Sequence, residues 1–224
     1  MSAEASNPTS PTAAVFAERH HFLLRKLHSL TGIVPLGVFF AEHMITNSLA
    51  YGADGQAKYN EAVKFLRGLP FVLFLETFGI FLPLLFHGII GMWIAADARI
   101  TATHYPKPRN WMYVLQRWTG ALAFVFVIFH LLHFRFRSHE QPFEAIAYHE
   151  VQVLLSNPFW LAAYVVGVAA TAFHLGNGIP LFCISWGITV SPLSQKRMNM
   201  AGAVVGVALF GLGLLSTLGF LSAL

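Results

Sequence analysis

Five stretches of this chain are apolar over about 20 residues, the length a helix needs to cross the roughly 30 Å hydrocarbon core of a bilayer. They run from about Leu30 to Ala50, Phe71 to Asp97, Trp111 to Phe134, Pro158 to Phe182 and Met200 to Leu221. No water is there to bind free backbone groups, so each segment must satisfy its own N–H and C=O, which a helix does. The expected fold is therefore all-α and integral to a membrane. It has five transmembrane helices, the first four forming a bundle, with Pro35 and Pro83 kinking the first two. Only 11% of the 224 residues are charged, against about a quarter in soluble domains.

The connections Tyr51–Pro70, Ala98–Asn110, Arg135–Asn157 and Ser185–Asn199 are polar and rich in turn residues, and the third has room for a short interfacial helix. No internal repeat and no second domain are expected. Residues 1–24 read as a disordered cytoplasmic tail, rich in Ser, Thr, Pro and Ala at its start. Residues 25–224 read as the membrane domain. No apolar core follows a basic start, so a cleaved signal peptide is not expected. The net charge of +4 is spread through loops and reads as topology, not as a nucleic-acid surface. With the N-terminus inside, Arg19, Arg25, Lys26, Arg99, Lys107, Arg109, Lys196 and Arg197 lie inside. Lys58, Lys64, Arg67, Arg135 and Arg137 then lie outside, a modest bias that favours this orientation.

Four of the five stretches carry a histidine that lipid would not tolerate without a function: His43, His87, His130 and His174. Depth sorts them. At 1.5 Å per residue, His43 lies about 10 Å and His130 roughly 7 Å from the outer end, while His87 and His174 both lie roughly 24 Å from it. The expected pairs are His43 with His130 in the outer half and His87 with His174 in the inner half. Two imidazoles at each of two levels match the axial ligands of two haem irons. No Cys-x-x-Cys-His motif occurs and the single cysteine is Cys183, so the haems would be held without thioether bonds. His133 competes with His130 from a neighbouring face. His20, His21, His28, His104, His139 and His149 fall in tails, interfaces or loops and read as solvated.

Haem propionates need cations or donors near the membrane surface. Arg25, Lys26, Arg117, Ser29 and Gln116 are the candidates for the inner haem. Glu76, near the outer end of the second stretch, is a candidate for contacting a quinone or relaying protons. Glu42 adjoins His43 but points to a different face.

At these residues the chain resembles the cytochrome b membrane-anchor subunit of succinate:quinone oxidoreductases, in its single-subunit, five-helix, dihaem form. The resemblance rests on Arg25-Lys26-Leu27-His28-Ser29-Leu30-Thr31-Gly32, Glu42-His43, and Phe81-Leu82-Pro83-Leu84-Leu85-Phe86-His87-Gly88. It continues in Arg109-Asn110-Trp111-Met112, Leu115-Gln116-Arg117-Trp118-Thr119-Gly120, Phe173-His174-Leu175-Gly176-Asn177-Gly178 and Trp186-Gly187-Ile188-Thr189-Val190-Ser191-Pro192. It implies that His43, His87, His130 and His174 are the axial ligands of two haem b, and so favours His130 over His133. It also implies a flavoprotein and an iron–sulfur protein as partners on the cytoplasmic side of a bacterial inner membrane. Electrons would pass from succinate through the partners and two haems to a quinone, or the reverse in fumarate reduction. Some relatives of this type carry a glutamate just before the fourth ligand for proton movement; here Thr171, Ala172 and Phe173 stand there. Two other readings stay open on the residues alone. One is a b-type cytochrome of another quinone-linked complex, such as a hydrogenase or formate dehydrogenase. The other is a haem-free transporter, against which the scarcity of intramembrane acids weighs.

Overall fold

A computed structural model describes residues 11–98, 102–136 and 143–222. Among these, all regular structure is helical. Five helices are apolar and long enough to cross a membrane: α1 (His20–Ser48), α3 (Val72–Ala96), α4 (Pro108–Arg135), α6 (Pro158–Ser185) and α7 (Pro192–Leu221). Two shorter helices, α2 (Gly55–Arg67) and α5 (Phe143–Ser156), join spans at one end. That end would be the outer one in the orientation expected from the charges, and it carries that label below. Arg99, Arg137, His139 and Glu140, which figure in the expected topology and loops, lie outside the described residues. Leu85, Val125 and Val207, far from the ends of their spans, are 55%, 65% and 73% exposed. Apolar patches of that extent are tolerable only with lipid as the solvent, and the chain is a multi-pass membrane protein.

Both prolines are accommodated by widened turns. Pro35 lies inside a π-helical segment, Gly32–Gly37, and a second such segment, Leu75–Phe81, ends two residues before Pro83. A proline has no N–H to give and its ring crowds the carbonyl four residues back. A π turn relieves this by shifting the hydrogen bonds to residues five apart. A third π segment, Leu131–Arg135, follows His130 without a proline.

The helices outrun the apolar stretches. The helix of α1 continues back to Pro11, so residues 11–24 are helical where a disordered tail is expected from the sequence. No glycine or further proline interrupts that segment, and its Ala, Glu, Arg and Leu favour helix. Residues 1–10 of the expected tail lie outside the described residues. The helix of α7 starts at Pro192, eight residues before the apolar stretch, because Ser191 and Ser194 form a reciprocal capping box with Pro at the first turn. Polar Gln195, Lys196 and Arg197 fall in this N-terminal extension. The helix α2 is an addition to the expected architecture, and α5 occupies the loop where a short one is expected.

In the bundle, α1 packs against α3, α3 against α4, and α4 against α6, while α7 lies outside against α6 and α1. The α6–α7 contact is made by glycine. A Cβ on Gly176 would sit 2.7 Å from the Gly202 carbonyl oxygen and 3.0 Å from the Gly206 Cα. At the outer end α2, α5 and the tip of α7 close over the bundle through Tyr59, Tyr148, Leu154, Leu155 and Phe220. The Tyr148 hydroxyl donates to the Gly219 carbonyl at 3.0 Å. Burial pushes the Tyr59 phenol from 10.0 up to about 12, with Arg67 opposing.

Gly176→Ala is expected to lower stability by about 1–3 kcal/mol through overpacking. Gly211→Ala, whose Cβ would have nothing within 4 Å, should leave the thermal midpoint in detergent unchanged; equal midpoints would refute the close α6–α7 contact. Because the folded phenol of Tyr59 holds its proton more tightly than the unfolded one, its contribution is complete below pH 10 and is lost as pH rises towards 12. An alkaline stability profile should therefore fall less steeply over that interval in Tyr59→Phe than in the parent.

Candidate functional site

Helices α1 and α4 bring the rings of His43 and His130 together with centroids 5.7 Å apart and planes at 84°. Helices α3 and α6 do the same for His87 and His174, at 6.1 Å and 83°. The two contacts join diagonal helices of the four-helix bundle at different levels. His133 packs instead beside Phe129 and Phe134.

Three of the four imidazoles are oriented through Nδ1. The Nδ1 of His87 lies 2.9 Å from the carbonyl oxygen of His28 on α1. The Nδ1 of His174 lies 2.9 Å from the carbonyl oxygen of Gln116 on α4. A carbonyl only accepts, so in both rings Nδ1 carries the hydrogen and Nε2 keeps its lone pair. The Nδ1 of His130 lies 3.3 Å from the buried hydroxyl of Tyr164. Gln116 is held in turn: its side chain donates to the His174 carbonyl at 3.0 Å and accepts from Asn177 at 2.8 Å.

His28 departs from the solvated role expected of it. Its ring stacks on His87, centroids 4.1 Å apart and planes 9° from parallel, and is half-buried. His21 likewise lies against Trp93 at 4.5 Å. The reason is the early start of α1, which carries both residues into the span. Tyr164, Asn177 and His28 have no local signal in the sequence, since each is placed by a facing helix.

The propionate candidates are variously engaged. Arg25 makes an exposed ion pair with Asp97 at 3.7 Å. Lys26 donates to the Ser185 carbonyl and sits over the Trp186 ring, 4.9 Å from its centroid, which places a cation at the C-terminal end of α6. The Ser29 hydroxyl donates to the Lys26 carbonyl at 2.9 Å and accepts from the Trp186 indole at 3.0 Å. Arg117 stacks on Tyr113 at 3.9 Å and has a buried guanidinium nitrogen with no partner. It borders a cavity of about 180 Å³ lined also by Ala95, Ala98, Val114, Trp118 and Ala121. Of the five candidates, Arg117 is the one with an unanswered buried donor.

At the outer end the carboxylate of Glu76 accepts from Arg135 at 2.8 Å, tying the π segments of α3 and α4 together. The Glu42 carboxyl accepts from the Thr46 hydroxyl at 2.6 Å on its own helix. No group of three or more His, Cys, Asp or Glu side chains suited to a bare metal ion occurs among the described residues.

Residues 97–215 match the family described as succinate dehydrogenase/fumarate reductase transmembrane subunit. The succinate dehydrogenase cytochrome b558 subunit of Bacillus subtilis (strain 168) is 39% identical over 199 residues, 89% of this chain and 96% of that protein. No solved structure matches the chain.

A double-mutant cycle on Glu76→Gln and Arg135→Gln is expected to return a coupling of about 1 kcal/mol in thermal stability, as for a partly buried ion pair. Additive single effects would contradict the contact.

Proposed function

The chain belongs to the succinate dehydrogenase/fumarate reductase transmembrane subunit family, and on that premise we propose that it is the cytochrome b anchor of a succinate:quinone oxidoreductase. In this reading it is the single-subunit, five-helix, dihaem kind, with two haem b. His87 and His174 hold the inner haem, and His43 and His130 the outer one. The carrying observation is the pairing of imidazoles across the bundle.

The residues fit a porphyrin. Two imidazoles sharing one metal through bonds of about 2 Å each would have centroids roughly 6 Å apart, close to the 5.7 and 6.1 Å of the two pairs. A porphyrin brings its own four nitrogens, so two side chains suffice where a bare ion needs more. Glycine recedes at the inner pair: a Cβ on Gly120 would lie 2.7 Å from the His174 ring, and one on Gly32 would collide with the His87 ring.

When bound, the haems supply one-electron redox chemistry at potentials the protein tunes. The chain's own residues perform the rest. The carbonyls of His28 and Gln116 orient two ligand rings and raise their basicity. Phe126, Phe134 and Tyr164 pack against His130, with Phe129 behind Tyr164, and keep water from the outer pair. Arg117 offers its unpaired nitrogen to an inner propionate, beside Arg25, Lys26, Ser29 and Gln116. Glu76, with Arg135, stands at the outer end as the candidate contact for a quinone drawn from the bilayer. A flavoprotein and an iron–sulfur subunit carry the succinate chemistry at the inner, cytoplasmic end, in a bacterial inner membrane with the N-terminus inside.

The test is haem stoichiometry in the assembled complex. Pyridine haemochrome assay is expected to give two haem b per chain. Reduced-minus-oxidised spectra should show one haem lost in His87→Ala or His174→Ala and the other lost in His43→Ala or His130→Ala. Single variants that lose neither haem, or a complex without haem, would overturn the proposal.

A further inference from the structure

We infer that the four-helix bundle is two copies of one helix-pair unit, and that in each copy a reciprocal glycine contact positions one of the two inner histidines. The first copy is α1 with α3, and the second is α4 with α6. On α1 the segment Leu27-His28-Ser29-Leu30-Thr31-Gly32 shares its first, fifth and sixth residues (Leu, Thr, Gly) with Leu115-Gln116-Arg117-Trp118-Thr119-Gly120 on α4. On α3 His87 is followed four residues later by Gly91; on α6 His174 is followed four residues later by Gly178. The matched positions make matched contacts. The carbonyl of His28 accepts from His87, 59 residues on, and the carbonyl of Gln116 accepts from His174, 58 residues on, both at 2.9 Å.

Four residues beyond each accepting carbonyl, glycine faces the ring that donates to it. A Cβ on Gly32 would meet His87, with Nδ1 at 2.9 Å, and a Cβ on Gly120 would meet His174, with Nδ1 at 3.0 Å. The return contact is present in both units, close in the first and ordinary in the second. A Cβ on Gly91 would lie 2.8 Å from the His28 ring nitrogen, and one on Gly178 would lie 3.5 Å from the Gln116 side-chain nitrogen. Even the threonines correspond. The Thr31 hydroxyl donates to the carbonyls of Leu27 and His28, and that of Thr119 to those of Leu115 and Gln116.

Residues four apart share a helix face one turn apart. Each unit therefore places a carbonyl and a glycine of one helix against a histidine and a glycine of the next. Missing side chains let the backbones approach until the ring reaches the carbonyl. Packing between small residues is common in membrane helices. Two units with the same type of donor, acceptor and Thr-Gly pair, their partners 59 and 58 residues apart, both end on one pair of rings, which general packing does not explain. The inner site then has an approximate twofold relation, its two halves contributed by different hairpins. Gly32 and Gly120 are positioning residues for His87 and His174.

This rests on the reading that His87 and His174 hold one haem. The test uses the full chain assembled with its partner subunits, reading haem content, difference spectra and redox titration. Gly32→Ala and Gly120→Ala, on different helices, are both expected to lose or shift the same haem, the one lost in His87→Ala. The other haem should stay, leaving about half the haem and showing that the variant has folded. Gly211→Ala, outside both units and with nothing within 4 Å of its Cβ, should keep both haems. If Gly32→Ala does not assemble, Gly91→Ala carries the test: a shifted midpoint potential of that same haem supports the contact, and an unmoved one overturns it. Loss of different haems in Gly32→Ala and Gly120→Ala, or two unchanged haems in both, would overturn the inference. His87→Ala retaining both haems would instead overturn the pairing on which it rests.

Discussion

An imidazole inside a bilayer keeps a definite orientation only if its second nitrogen is tied, and here the tie for the inner pair is main-chain carbonyl. The Nδ1–H groups of His87 and His174 each donate to a carbonyl on the facing helix at 2.9 Å. In a low-dielectric interior such a bond is strong and leaving it unmade is costly. It needs a helix backbone close enough to touch an aromatic ring, which glycine at 32 and 120 permits. Each ring is thereby left with a free Nε2 lone pair, and the two ring centroids lie 6.1 Å apart. Ring tilt, helix spacing and the positions of several glycines all follow from that one contact.

The outer end is built differently. His130 is tied by a side chain, Tyr164, and closed over by aromatic rings and by α2 and α5. The Glu76–Arg135 pair links the two π segments that flank this end. Within π turns, residues five apart align, so such segments redirect side chains relative to a continuing α-helix. The fifth span, α7, takes no part in either histidine pair and instead braces α6 through glycine.

Much of the fold is legible in the sequence because membrane physics is nearly one-dimensional. Apolar length marks a span, and residue number marks depth. On that basis the five spans and the matched levels of His43 with His130 and His87 with His174 can be read without a structure. Helix ends are less legible, because helices extend into the interface where hydropathy no longer reports them; α1 and α7 both start earlier than their apolar stretches. That error alone misplaces His28, which reads as a solvated residue and lies stacked on His87. Tyr164 and Asn177 act across helices and leave no local mark. The duplicated unit did leave one, since Thr-Gly closes a six-residue segment beginning with leucine in both α1 and α4. It is missed because five matched positions across residues 27–91 are too few to stand out from background.

The most direct test of paired histidines is low-temperature EPR of the oxidised protein. Imidazole planes close to perpendicular, 84° and 83° here, are expected to give two strongly anisotropic low-spin ferric signals, one for each pair. A high-spin ferric signal from an iron with one imidazole, or a single low-spin species, would contradict the arrangement of two irons each held between two histidines.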